Sequence, residues 1–279
     1  MLLCVNSEWQ GCDSPELEAG SRLLARELFS DLPVLDMGAA EHGGLDMRDG
    51  VFALECVSDR FRTTLAALEA AAPDRIFTVG GTCGSEAAPV AYLSARYERL
   101  GTVWLDAHGD LNTPASSPSG HFHGMVLRTL LGDGPEGFTS HIAVPLSAQG
   151  VVVVGARDLD EPERDFIESA GVGLVEGWPD DVAALVSTRL RDTGITHLYV
   201  HIDVDVFDPA TFGDALFSVP GGPSLDSVSA ALRQLMTAFD VVGVGLVESC
   251  GRVPGAAGVL KRFLVDSELW PAALTSASS

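Results

Sequence analysis

Two short stretches of this chain bring together side chains that bind metals. The first, TVWLDAHGDLNTPASSPSGHFHGM (102–125), is an apolar run that ends abruptly in Asp106, His108 and Asp110. The second, HIDVDVFDP (201–209), carries Asp203 and Asp205. In extended chain, residues i, i+2 and i+4 point the same way. The spacing therefore predicts that Asp106, His108 and Asp110 converge, and that Asp203 and Asp205 do too. Carboxylates packed together repel one another and resist burial unless cations neutralise them. Two divalent cations would do so. Carboxylates with one imidazole suit a hard or borderline ion such as Mn²⁺ or Fe²⁺ better than a structural Zn²⁺. An isolated Asp-x-Asp is a weak signal; two such clusters in one chain, each directly after an apolar run, make a strong one. Cys83 in GGTCGSE and Glu248 in VES end two further apolar runs.

The elements that must position these groups are legible as a pattern. Short apolar, β-branched runs recur at 2–5, 34–37, 75–79, 102–105, 151–155, 172–175, 197–206 and 241–247. Segments with helical spacing lie between most of them. In SLDSVSAALRQLM, Leu225, Val228, Leu232 and Leu235 fall on one face and Ser224 is placed to cap. Residues 51–72 behave similarly. Alternating strands and helices imply an α/β fold whose one large, mostly parallel sheet of eight strands carries helices on both faces. Ligands of such sheets sit beyond the C-terminal strand ends, where the ligand-type residues collect. No linker divides the chain, so residues 1–279 are expected to form one domain, with a frayed Ser-rich tail from Thr275.

Composition narrows the function classes. With 46% hydrophobic residues the chain can build a sizeable core. A net charge of −22 argues against nucleic acid or anionic membrane as partner, since both require a positive surface. The five cysteines are scattered and form no CxxC pair, which indicates neither a disulfide framework nor a zinc ribbon. The N-terminus lacks a basic region, and no apolar run approaches ~18 residues. A cytoplasmic setting is the expectation.

With these motifs in place, the sequence resembles the ureohydrolases: arginases, agmatinases and formiminoglutamases. The likeness runs through GGTCG, DAHGDLNTP, SGHFHG, GARDLDEPE and HIDVDVFDP to VES. It implies a three-layer α/β/α sandwich and hydrolysis of a guanidine or amidine carbon at a two-manganese site. By resemblance, Asp106 and Asp203 bridge the two metals, Asp110 and the residue at position 83 complete the first, and His108 and Asp205 complete the second. His123 matches the proton-shuttle histidine, and Glu248 matches the carboxylate that orients the guanidinium. Within the family, DLNTP followed by two serines looks like arginase. Asn112 and Ser119 match residues that hold a substrate α-carboxylate, and Ser117 stands where a threonine is usual. Asp160 matches the residue that receives the α-amino group, with Glu163 nearby. The resemblance thus implies an arginine-like amino acid as substrate. The chemistry agrees: a metal pair generates hydroxide near neutral pH, and a histidine of near-neutral pKa can hand a proton to the leaving amine.

Three departures refine the expectation. Cys83 replaces the histidine usual in the family's GGDHS. A thiolate ligand is softer and more negative than imidazole, so it should shift metal preference and reduce Lewis acidity. Phe217, in ALFSVPGG, stands where arginases typically carry a small polar residue. The stretch after Glu248 lacks the usual asparagine–proline, so the family's homo-oligomer does not carry over directly. One branch of the family combines a cysteine at this metal position with arginase-like amino-acid contacts. It hydrolyses Nω-hydroxy-L-arginine to hydroxyurea and L-ornithine in D-cycloserine biosynthesis, and this chain is similar to it. Arginase proper, hydrolysis of another amidino compound such as formiminoglutamate, and a non-catalytic binding protein that has lost the first metal are the competing expectations. Retention of His123 and Glu248 weighs against the last. His121 is read as pocket lining, and His42, His141 and His197 as ordinary histidines.

Overall fold

The structure is a computed structural model that describes residues 1–29, 32–38 and 44–270. His42 and the tail from Thr275 lie outside the described residues. The main strands are β1 (Leu2–Asn6), β2 (Val34–Asp36), β5 (Ile76–Gly80), β6 (Leu100–Leu105), β7 (Val151–Val154), β8 (Gly173–Val175), β9 (His197–Asp203) and β10 (Asp240–Val247), while β3 (Met47–Arg48) and β4 (Val51–Phe52) form a small antiparallel hairpin. The eight-stranded sheet runs in the order β2-β1-β5-β10-β9-β6-β7-β8, and every pairing in it is parallel. All eight expected runs enter this sheet. The hairpin has no counterpart in the sequence reading, because two-residue strands carry no periodicity.

Helices α1 (Glu16–Leu28), α7 (Val182–Asp192), α8 (Leu225–Met236) and α9 (Ala256–Asp266) cover one face of the sheet. Helices α2 (Leu54–Ala71), α3 (Ala87–Arg96), α4 (Val126–Leu130), α5 (Glu136–Thr139) and α6 (Glu161–Ala170) contribute to the core on the other. The strands divide their side chains between these layers by simple alternation. On β9, Leu198, Val200 and Ile202 join the first core and Tyr199 joins the second. Ser224 caps α8 as expected, its hydroxyl accepting from the Ser227 amide at 3.2 Å. The result is a three-layer α/β/α sandwich. No described helix is long and apolar enough to cross a membrane.

Two glycines of β10 make room for side chains that lie over the strand. A Cβ on Gly243 would lie 2.3 Å from Tyr199 Cδ2, and one on Gly245 would lie 0.9 Å from Glu86 Oε1. The central strands β5, β10, β9 and β6 are neighbours, so their C-terminal ends open onto one place.

Candidate active site

The four strand ends deliver their loops together. β5 leads into a 3-10 turn beginning at Cys83, β6 ends one residue before Asp106, β9 ends at Asp203, and β10 ends one residue before Glu248. Cys83, Asp106, Asp110, Asp203, Asp205 and Glu248 are all buried there, and His108 is partly exposed. Above them opens a cavity of about 350 Å³.

The convergence expected from spacing is real, but its cause differs. Strand β6 stops at Leu105 and β9 at Asp203, so Asp106–Asp110 and Asp205 are not extended chain. Each loop is instead folded by its own acids. The His108 amide donates to Asp106 Oδ1 at 2.7 Å, and the Asp205 amide donates to Asp203 Oδ1 at 2.7 Å. The Ala107 amide donates to Asp205 Oδ1 at 3.0 Å, tying the two loops. Asp110 has a φ of +52° and Glu248 of +64°. Side chains rarely adopt this left-handed region, and such strain persists where the surroundings over-determine it.

As a result the ligand-type atoms divide differently from the simple i, i+2, i+4 grouping. Asp106, His108 and Asp205 form one group, with His108 Nδ1 3.0 Å from Asp205 Oδ2 and 3.4 Å from Asp106 Oδ1. Asp106 and Asp110 turn toward Cys83 and toward His201, a residue the sequence reading passed over. Cys83 also groups with Asp203 and Glu248, and its thiol donates to Asp203 Oδ2 at 3.3 Å. His201 shares the alternation of Asp203 and Asp205, and that register was the available signal. Trp104 Nε1 donates to Asp106 Oδ2 at 3.2 Å and to Asp110 Oδ2 at 3.3 Å.

The electrostatics of the cluster are those of carboxylates crowded together out of water. Burial, then the charge of Asp106, pushes Asp110 well above the usual carboxylate range. Burial, then Asp205 and Asp106, does the same to Asp203. Asp205 is raised to about 6 by burial and by Asp106. Within the cluster Asp106 is held low: burial opposes its charge, but the neighbouring imidazoles of His108 and His201 outweigh that. Burial and the neighbouring acids raise the Cys83 thiol far above its ordinary value. A nearby divalent cation inverts this logic and draws out both carboxylate and thiolate. Glu248 adds a further sign: one oxygen accepts from the Cys83 amide at 3.1 Å, while buried Oε2 has no partner. The donor set of acids, imidazole and thiol fits a pair of divalent cations.

The other expected residues surround the cavity. His123 lines it and places Nδ1 3.3 Å from Glu248 Oε1. Asn112, Ser117, Ser119, Asp160 and Glu163 all line it as well, as do His121 and Phe217. Asn112 Nδ2 donates to Asp160 Oδ2 at 2.8 Å. Glu163 is committed to the backbone: Oε1 accepts from the Leu111 amide and Oε2 from the Asp160 amide, both at 2.9 Å. It caps α6 and locks it to the Asp110–Asn112 loop. Ser117 Oγ accepts from the Gly120 amide at 3.0 Å and Ser119 Oγ from the His121 amide at 3.2 Å. Phe217 packs beside His123 with ring centroids 5.3 Å apart. Asp158, at the same cavity wall, was not singled out by sequence. His141 and His197 stand away from the cavity, bonded to neighbouring hydroxyls.

The arginase family model matches residues 13–250 of this chain. The chain belongs to the arginase family. Its relatives include arginase from Staphylococcus aureus, 32% identical over 176 residues that cover 61% of this chain and 58% of that protein. Arginase from Brevibacillus brevis is 33% identical over 179 residues, 61% of this chain and 59% of that protein. The chain thus aligns with less than two thirds of these relatives' length. Among solved structures, Entamoeba histolytica arginase in complex with L-ornithine superposes with a TM-score of 0.83 at 20% identity, covering 95% of this chain and 96% of that one. Proclavaminate amidino hydrolase from Streptomyces clavuligerus superposes with a TM-score of 0.73 at 20% identity, over 98% and 92%. These likenesses establish the arginase-like fold.

Proposed function

We propose that this arginase-family chain is a metal-dependent amidinohydrolase that cleaves the guanidino group of an arginine-like amino acid, with Nω-hydroxy-L-arginine, yielding hydroxyurea and L-ornithine, as the preferred substrate. The carrying observation is the arrangement at the cavity floor. Four buried aspartates and a thiol lie beside a glutamate with one oxygen near a histidine and the other buried and unpartnered. Asp106, Asp110, Asp203 and Asp205, with His108 and Cys83, would hold two divalent cations, for which Mn²⁺ is the first candidate and a softer divalent ion the alternative. When bound, such a pair would supply hydroxide near neutral pH and stabilise the charge that develops on the heteroatoms around the attacked carbon.

The remaining steps belong to this chain. Glu248 offers its unpartnered Oε2 to a cationic guanidinium, the natural complement of a buried free carboxylate oxygen. His123, with Nδ1 3.3 Å from the other oxygen, is placed to hold a proton at the cavity floor and pass it to the departing amine. Asn112, Ser117, Ser119 and Asp160 offer donors and acceptors at the cavity wall suited to an α-carboxylate and α-amino group. Phe217 crowds His123 and makes the distal end less polar.

Two features support the hydroxylated substrate. A thiolate at position 83 would lower the Lewis acidity of one cation, and an N-hydroxylated guanidine is less basic, so its neutral form presents a more electrophilic carbon. L-Arginine is the second reading, favoured by the identity of the relatives. A paired assay tests both: manganese-loaded protein is supplied with each substrate separately and L-ornithine is measured. Much faster release from Nω-hydroxy-L-arginine is the expected result. Equal or better use of L-arginine would make the chain an arginase with an unusual ligand. Release from neither would remove the amidinohydrolase reading for these substrates.

A further inference from the structure

We propose that His201 is itself a metal ligand, its Nε2 joining Cys83, Asp106 and Asp110 around one of the two cations. The inference rests on the metal-dependent reading above and goes further by naming a ligand outside the motif residues. Four observations carry it. First, the donor atoms of Cys83, Asp106, Asp110 and His201 all lie within 4.8 Å of one another, and all four residues are buried. Donors sharing one ion at bond lengths of roughly 2.0–2.3 Å stand about 3–4.5 Å apart, so the set is already near the size of a coordination shell.

Second, the free nitrogen of His201 points into that set. Nε2 lies 3.7 Å from Asp106 Oδ2 and 3.9 Å from Cys83 Sγ. Third, the other nitrogen is occupied as a ligating imidazole requires. His201 Nδ1 is hydrogen-bonded to Glu86 Oε2, and Glu86 Oε1 accepts from the Tyr199 hydroxyl at 2.6 Å. A carboxylate on Nδ1 fixes the tautomer, leaves the Nε2 lone pair for a metal and raises its basicity. Fourth, the ring cannot turn away. It stacks flat on Trp104, with centroids 3.5 Å apart and planes 6° from parallel. Glu86 is equally fixed, since it fills the space left by the missing side chain of Gly245. A lone pair aimed at carboxylates and a thiol makes physical sense with a cation between them.

The consequence is a division of labour between two cation positions. One would be held by Cys83, Asp106, Asp110 and His201, with Asp203 beside Cys83, and the other by Asp106, His108 and Asp205. Glu86, Tyr199 and Trp104 act on the first position as positioning residues.

The test is metal stoichiometry, independent of turnover. Wild type, His201→Ala and Glu86→Gln are stripped with chelator, dialysed against Mn²⁺ or Co²⁺, checked for fold by circular dichroism and analysed for bound metal per chain. Two ions in wild type, one in His201→Ala, and 10–100-fold weaker binding of one ion in Glu86→Gln support the proposal. X-ray absorption of the Co²⁺ form should show one fewer imidazole nitrogen in His201→Ala. Two ions bound with unchanged affinity in His201→Ala would overturn the assignment and leave the proposed function standing. One ion in both wild type and His201→Ala would also overturn it, because the imidazole would then replace a cation rather than bind one. Wild type that takes up no metal would sink the proposed function together with this inference. Should His201→Ala fail to fold, Glu86→Gln carries the test, and unchanged affinity for both ions in that variant overturns the proposal.

Discussion

Asp106 and Asp203 are the residues whose loss should be felt most widely. Asp106 belongs to two of the ligand groups, and Asp203 joins Cys83 and Glu248 while folding its own turn. Asp106→Ala or Asp203→Ala should therefore abolish both metal uptake and L-ornithine release, measured as bound metal and product formed. Full activity in either variant would sink the two-cation reading. His123 is different. It touches Glu248 and lines the cavity but is not itself a member of the ligand groups among the described residues. His123→Ala should lower kcat by roughly 10²–10⁴-fold, with metal content unchanged. An unchanged kcat would remove it from proton transfer.

The decisive features at the scale of elements are close approaches that only glycine allows. The Tyr199 and Glu86 side chains fill the space that Gly243 and Gly245 of β10 leave open. Gly245→Ala would drive a methyl group into Glu86, whose carboxylate holds His201. Overpacking of this kind costs about 1–3 kcal/mol, and denaturant titration should show a loss of at least that size. It should also weaken binding of one cation. Gly258, exposed on α9 with nothing near its missing Cβ, is the contrast. Gly258→Ala should stabilise by about 0.5–1 kcal/mol, the usual penalty of glycine within a helix. If both variants behave alike, the account of β10 is wrong.

The molecule as a whole stores repulsion in its centre. Five buried acids converge where four parallel strands end, and burial has pushed three of them toward protonation. Cations that bind only the folded chain stabilise it by about 2.7 kcal/mol per site at 100 times Kd. Thermal unfolding of the stripped protein should therefore rise by several degrees on adding Mn²⁺. Asp106→Ala should show little of that rise. A melting temperature indifferent to metal in wild type would contradict a cation-centred core.

Much of this architecture was legible in the chain itself. Eight apolar runs alternating with amphipathic segments specify a parallel sheet between helical layers, because burying both faces of such strands leaves few alternatives. The acid-rich motifs at the run ends placed the ligand-type residues at the C-terminal edge of the sheet, where the fold does gather them. The assignment of ligands to groups was not legible. It depended on strands that stop at Leu105 and Asp203, and on loops turned by hydrogen bonds that nearby amides donate to Asp106 and Asp203. Nor was the role of Glu163, which the resemblance set beside the substrate contacts yet whose two oxygens both accept from backbone amides. His201 shows the boundary most clearly. Its alternation with Asp203 and Asp205 is local and readable. Its anchor, Glu86, lies 115 residues away in sequence and reaches it only because Gly245 stands aside. Periodicity along a strand is a property of neighbours in the chain, whereas a coordination shell is assembled across strands, and only packing brings those together.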